Sequence, residues 1–316
     1  MRFRPGHAAR PELIPPTMTS TSDVRPGGVA RRLQAALWRR RWAQLLLLLT
    51  PPVGWFAIVY LGSLAVLLVS AFWILDPATS AVRHDVSLTN FQQLLTNPVY
   101  ATVARRTLVV AAAVTIIDIA IAFPISYYMA RVASGRVRAF LFVLVLLPLW
   151  ASYLVKMYAW RVVLAPGGPL DWALTQLGFP NASPGFSELS MVIVFCYLWL
   201  PYMIVPIYAG LERIPRSLLE ASADLGGRGA TTFRRVVLPL VLPAVAAGSI
   251  FTFSLTLGDY ITPQYVGNSQ FIGNVVYEAQ GIANNVPFAA AFSLVPIAIM
   301  AIYLLGARRL GAFDAL

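Results

Sequence analysis

Apolar positions along the chain fall into long uncharged runs separated by short polar clusters. A helix crossing a bilayer needs about 20 apolar residues, and six segments meet that length. They are 53–74, 107–130, 139–160, 189–211, 237–258 and 287–307. No charge occurs between Arg41 and Asp76, a run longer than one span needs, and Pro51 and Pro52 are expected to divide it. The segment before them, "RRLQAALWRRRWAQLLLLL", then lies along the membrane surface or leads into the first helix. The second span contains Asp118 and Pro124, and the fifth opens with Pro239 and Pro243.

Composition agrees with this pattern. Of 316 residues, 58% are hydrophobic and only 12% charged, against about 25% charged in ordinary soluble domains. The net charge of +11 is carried by arginine, with Lys156 the only lysine. Its blocks sit between apolar segments, a pattern that sets topology and does not suit nucleic acid. One face carries Arg2 to Arg41, Arg131, Arg136, Arg138, Arg213, Arg216, Arg228, Arg234, Arg235, Arg308 and Arg309. The other has Arg83, Arg105, Arg106 and Arg161, and the loop over 259–286 has no basic residue. The bias puts both termini in the cytoplasm. The basic N-terminal region is too long, and the apolar run too extended, for a cleaved signal peptide. Residues 1–30 are expected to be disordered within a basic tail, 1–43. The transmembrane domain is assigned to 44–310 and a C-terminal tail to 311–316.

Between the fourth and fifth spans stands "EASADLGGRGATTFRRVVLP", residues 220–239, a polar interruption on the cytoplasmic side. Its local chemistry predicts two short helices joined by a bend. Pro215 suits a first helical turn, and Ile214, Leu218, Ala221 and Leu225 recur on one stripe. Arg216 and Glu220 are placed to pair at i,i+4. Gly226 and Gly227 end the first helix, and Thr231 or Thr232 can cap the second. In that second helix Phe233, Val237 and Leu240 share a face, and Pro239 marks where it yields to the next span. An amphipathic elbow with an apolar face and a carboxylate is suited to being gripped by another protein.

The spacing Glu220-Ala221-Ser222, Gly226, then Val236 and Leu238-Pro239 resembles the EAA loop of bacterial ABC importer permeases, with Ser222 and Val236 departing mildly from that pattern. The stretches "SYLVKMYAWRVVLAPGGPL", "LGDYITPQYVGNSQFIGNVV" and "PFAAAFSLV" are similar to the first permease subunit of spermidine/putrescine-type importers. The resemblance implies an all-α, six-helix type I permease fold in the bacterial inner membrane, with a cytoplasmic coupling elbow over 212–239. It implies a second homologous permease as heterodimer partner, two cytoplasmic ATPases and an external solute-binding protein. It also implies ATPase coupling through Glu220, Ala221, Ser222, Asp224, Gly226, Leu238 and Pro239, with Glu220 as the ionic contact. ATP and Mg belong to the partner ATPase and no cofactor to this chain. A P-loop needs a lysine after a glycine-rich loop, and Lys156 in "YLVKMYAW" has none. His7 and His84 are isolated, which gives a metal site no support.

Polar groups at bilayer depth are costly unless they face protein or water, so they are the candidates for a solute path. For a polyamine, Asp259 and Asp118 could balance charge, while Trp160, Tyr153 and Tyr260 offer cation–π faces. Each also has a plainer reading. Trp160 is an interfacial anchor, Lys156 snorkels, Asp118 bonds a neighbouring helix, and Asp259 caps "ITPQYV". Two alternatives to a polyamine importer stay open: a permease for another small organic solute, and an ion-coupled secondary transporter. The latter typically shows inverted repeats with broken helices.

Overall fold

The computed structural model describes residues 41–76 and 78–309; residues 1–40 of the tail assigned to 1–43, the whole tail assigned to 311–316, and His7 lie outside the described residues. Contacts divide the chain into two compact units, Met1–Ser63 and Leu64–Leu316. In the first, α1 (Arg41–Phe56) runs into a five-residue π turn, Ala57–Leu61. Pro51 and Pro52 stand inside α1, so the expected division there does not occur. Leaving the helix within an apolar run would strand more backbone groups in hydrocarbon than the two donors that proline removes. Thr50 Oγ1 donates to Leu46 O (2.5 Å), one more bond within the turn that precedes them.

The second unit opens in α2 (Gly62–Ser70), which ends four residues before the expected limit of 74. A two-strand hairpin follows, β1 (Ile74–Leu75) against β2 (Val82–Arg83). Buried Asn90, in α3 (Thr89–Thr96), holds the chain leaving α2 by donating to Ala71 O and Trp73 O. Next comes α4 (Pro98–Tyr127), continued by a π turn over Tyr128–Val132. It starts nine residues before the apolar run suggests. Asn97 Oδ1 accepts from Val99 N (3.0 Å) with Pro98 at N1. Arg106, which hides this first part from a hydropathy window, is paired with Glu188 at 3.0 Å.

The third expected span is not one straight helix. α5 (Gly135–Trp150) and α6 (Tyr153–Leu164), with α7 (Pro169–Gln176), are bent by 94°. Ala151 and Ser152 are both extended, with ψ near 141 and 140°, and Pro148 sits in the last turn of α5. Five other helical runs among the described residues are long and apolar enough to cross a membrane: Leu45–Ser70, Pro98–Val132, Glu188–Glu212, Gly229–Gly258 and Val286–Arg309. Counting the bent pair as one span makes six.

α8 (Glu188–Glu212), capped by Ser187 Oγ at Ser190 N (3.2 Å), is extensively buried. It packs between α4 and α11 (Leu238–Gly258), and α14 (Val286–Arg309) lies against α11. Lipid supplies no hydrophobic drive for helix association, so close van der Waals packing at small residues has to. A Cβ on Gly210 would stand 2.5 Å from Ala244 Cβ, and one on Gly248 would stand 2.9 Å from Met203 Sδ. Ser126 Oγ adds a bond from α4 to Ile204 O (3.1 Å), and Tyr303 OH one from α14 to Ser249 Oγ (2.8 Å).

This packing makes Gly210→Ala destabilising although alanine favours helix. Overpacking of this kind costs about 1–3 kcal/mol, visible as a lower thermal midpoint in detergent. Adding Ala244→Gly opens the space again and is expected to restore the midpoint. A Gly210→Ala protein as stable as the parent would mean that the two helices are not in closest approach there.

Candidate functional site

The polar interruption folds as an elbow. α9 (Arg216–Asp224) ends at Leu225, and Gly226 takes φ +78, where a β-carbon is strained. Gly226 N donates to Ala223 O (2.9 Å) and Gly227 N to Ser222 O (2.8 Å), the pair of bonds that closes a helix C-terminus. Gly227 is as constrained as Gly226, since its Cβ would lie 2.6 Å from both Ser222 O and Ser222 Oγ. Ser222 Oγ and Thr232 Oγ1 are 2.9 Å apart and join the two arms of the bend. Thr232 is therefore not a cap. The second arm, α10 (Gly229–Thr232), begins after Arg228 with no side-chain cap bond.

The second arm does not stop at Pro239. It passes through a π turn, Phe233–Val237, straight into α11. One extra residue in a turn rotates everything after it by about 100°. The extra residue falls between Phe233 and Leu240, so the face expected to hold Phe233, Val237 and Leu240 is not kept: Val237 is buried and Leu240 is 49% exposed. Leu240 instead lines a hollow of about 260 Å³ with Gly210, Arg213, Ile214, Leu218 and Pro243.

On α9, Leu219 and Ser222 turn towards the protein, while Leu218 (43%) and Leu225 (89%) are exposed together with Glu220, Ala221 and Asp224. The expected Arg216–Glu220 pair is not formed. On an exposed helix such a pair adds only about 0.3–0.5 kcal/mol, too little to hold two long side chains together. Leu238 and Pro239 lie exposed at the start of α11. The elbow is thus braced from within and leaves an apolar stripe beside free carboxylates on its outer side.

At the opposite end of the bundle the tertiary structure gathers residues far apart in sequence. Asp259 follows the last residue of α11. Its Oδ1 accepts from Ile261 N (2.7 Å) and Thr262 N (3.2 Å) at the start of α12 (Ile261–Tyr265). Its Oδ2 accepts from Thr262 Oγ1 (2.8 Å) and from the Tyr153 hydroxyl at the start of α6. Burial pushes the Asp259 carboxyl above its usual range, and these four donors pull it back. Tyr153 stacks on Trp199 of α8 at 6.1 Å, and Lys156 Nζ lies 6.0 Å from the Tyr153 ring centre. Thr262, which no local pattern singles out, completes the group.

The other candidates lie apart. Trp160 meets Tyr197 edge-on at 5.3 Å. Tyr260 stacks on Tyr277 of α13 (Ile272–Gly281) at 4.8 Å, and its carbonyl accepts from Asn274 Nδ2 (2.7 Å). Asp118 is fully buried, with the thiol of Cys196 on α8 beside its carboxyl.

Comparison with known proteins follows the same lines. Residues 122–312 match the family described as binding-protein-dependent transport system inner membrane component. The chain is 49% identical to the inner membrane ABC transporter permease protein YdcU of Escherichia coli (strain K12), over 93% of this chain and 98% of that protein. It is 30% identical to the spermidine/putrescine transport system permease protein PotB of the same strain, over 80% and 92% respectively. The fold superposes on a bacterial alginate ABC transporter, solved in complex with an alginate pentasaccharide-bound periplasmic protein. That match has TM-score 0.70 at 16% identity, over 90% of this chain and 98% of that one.

The Tyr153–Asp259–Thr262 group predicts a specific coupling. Asp259→Asn replaces an acceptor oxygen with a donor facing two hydroxyls. Losing hydrogen bonds to a charged group costs about 1.5–3 kcal/mol, read as a lower thermal midpoint in detergent. Combining it with Tyr153→Phe is expected to lower the midpoint by less than the two single losses added. Strict additivity would show that the tyrosine and the carboxylate do not act together.

Proposed function

The chain belongs to the family of binding-protein-dependent transport system inner membrane components, and on that premise we propose that it is the polyamine permease subunit of its importer. It is an ABC importer permease subunit of the inner membrane, a transport protein rather than an enzyme. In the proposed assembly it pairs with a second, homologous permease. Two cytoplasmic ATPases bind ATP and Mg, and a solute-binding protein docks outside. Both termini are cytoplasmic, by the arginine bias.

The observation that carries the coupling role is the elbow's two-sidedness. Its inner contacts, the Ser222–Thr232 bond and the glycine closure, make it rigid. Its outer stripe, Leu218, Ala221 and Leu225, is exposed, and Glu220 stands next to it. A lever needs that combination: internal stiffness, an apolar face that docks, and a charge that fixes the docked position. When the ATPases close on ATP they draw the two elbows together. Because α8 and α11 are continuous with the elbow at its two ends, they tilt and open the path outward.

Polyamine as cargo rests on the PotB relatives. A second reading, another small organic solute, is kept alive by the 49% identical relative, whose name states none. Reconstitution with the partner subunits decides between them: ATP-dependent uptake of labelled spermidine or putrescine is expected. Uptake of neither, with the binding protein selecting a different solute, would shift the assignment to the second reading.

Glu220→Lys is expected to abolish ATP-driven uptake while the subunit still inserts, since it reverses the contact charge without touching a span. Gly226→Val is expected to act similarly through the positive φ at that residue. Normal transport by Glu220→Lys would remove that carboxylate from the ATPase contact. Reporter fusions after Ala133 and Gly227 are expected to read as cytoplasmic, and those near Gly168 and Asn268 as external. A cytoplasmic signal at Asn268 would overturn the orientation.

A further inference from the structure

The positive-inside bias accounts for the sign of Arg131 and Arg138 but not for where their guanidinium groups go. Arg131 stands in the π turn that ends α4. Its Nη2 donates to Leu211 O (2.5 Å) in the last turn of α8, and to Ile214 O (2.9 Å) at the corner where the chain enters the elbow. The final carbonyls of a helix lack intrahelical partners and carry the negative end of its dipole. Ile214 is itself buried, and Pro215 behind it has no N–H to offer. Arg131 therefore grips both sides of the elbow's entrance with charge-assisted bonds.

Two further contacts repeat the tie. Arg138 Nε donates to Met129 O (3.0 Å), and its Nη1 lies 3.3 Å from Glu212 Oε1, which also accepts from Tyr208 OH (3.0 Å). At the elbow's exit, the Phe233 ring meets Phe123 of α4 edge-on at 5.4 Å. α8 and α11 are joined to the elbow through the backbone. α4 ends about eighty residues earlier and is attached to it only through side chains.

We propose that Arg131 is the joint that makes α4 travel with the elbow. It acts as a positioning residue of the transport cycle, touching neither the ATPase nor the cargo. This rests on the coupling role given to the elbow above. With the joint intact, an ATPase stroke moves three helices, α4, α8 and α11, as one body. Without it, the elbow moves two helices and slides past the third, so ATP is hydrolysed with little solute moved.

The test uses the assembled complex with its ATPases, in a form whose wild-type version already takes up labelled spermidine with ATP. A failure of the permease reading is thus seen before Arg131 is touched. Spin labels are placed at Ser134→Cys, beside the end of α4, and at Gly229→Cys in the elbow, both exposed, in a Cys196→Ala background. With Arg131 present, the distance distribution is expected to be the same in nucleotide-free and ATP-trapped complexes. In Arg131→Gln it is expected to broaden and shift with nucleotide. Spermidine moved per ATP hydrolysed is expected to fall about tenfold, the effect of losing a charge-assisted bond, while hydrolysis continues. A nucleotide-dependent distance with Arg131 intact overturns the proposal, as does wild-type uptake per ATP in Arg131→Gln. The first of these needs neither cargo nor an Arg131 substitution, so it stands even where the variant fails to assemble; Arg131→Lys, which keeps a charged donor on a shorter stem, then serves as the second variant.

Discussion

Inside hydrocarbon a backbone amide or carbonyl has no water to bond, so every group released by an interruption of a helix has to be met within the protein. That constraint organises this molecule. Its spans are helical through prolines that would break a helix in water, as at Pro51 and Pro52. Where the helices do stop, a side chain meets the groups released. Asp259 receives the amides at the start of α12, and Arg131 meets the carbonyls at the end of α8. The interruptions are the expensive places, and they are where the candidate functional groups collect.

Between those interruptions the bundle is held by closeness. Gly210 against Ala244 and Gly248 against Met203 bring α8 and α11 near enough for their backbones to approach. With α8 enclosed between α4 and α11, tilting it cannot be a private motion of one helix. It has to be shared by its neighbours or resisted by them. Side-chain ties join α4 to both ends of the elbow.

The elbow has the opposite balance. Its polar groups are satisfied within a few residues, and its outer apolar stripe is left uncovered. Leu225, at 89% exposure, is the most open leucine of that stripe. At the other face Asp259 shows the reverse: a carboxylate at a span end that looks free in the sequence is occupied by four donors. Its geometry is that of a cap and a tie between α6, α11 and α12.

Local sequence determined a good deal. Runs of uncharged residues located the spans, because desolvating a charge outweighs any other preference at bilayer depth. The Gly226-Gly227 pair marked the end of α9, because the backbone there needs a positive φ beside a crowded neighbour. Tertiary structure decided the rest. The bend between α5 and α6 and the π turn before Leu238 depend on how the chain packs, and the second of these rotated Leu240 off the face it shares with Phe233 in a regular helix. The partners of Arg131 lie 80 and 83 residues away, and that of Tyr153 lies 106 away. Periodicity reads the relation of a residue to its own helix. A hydrogen bond between distant elements is set by where whole helices come to rest, and no window along the chain contains both ends of it.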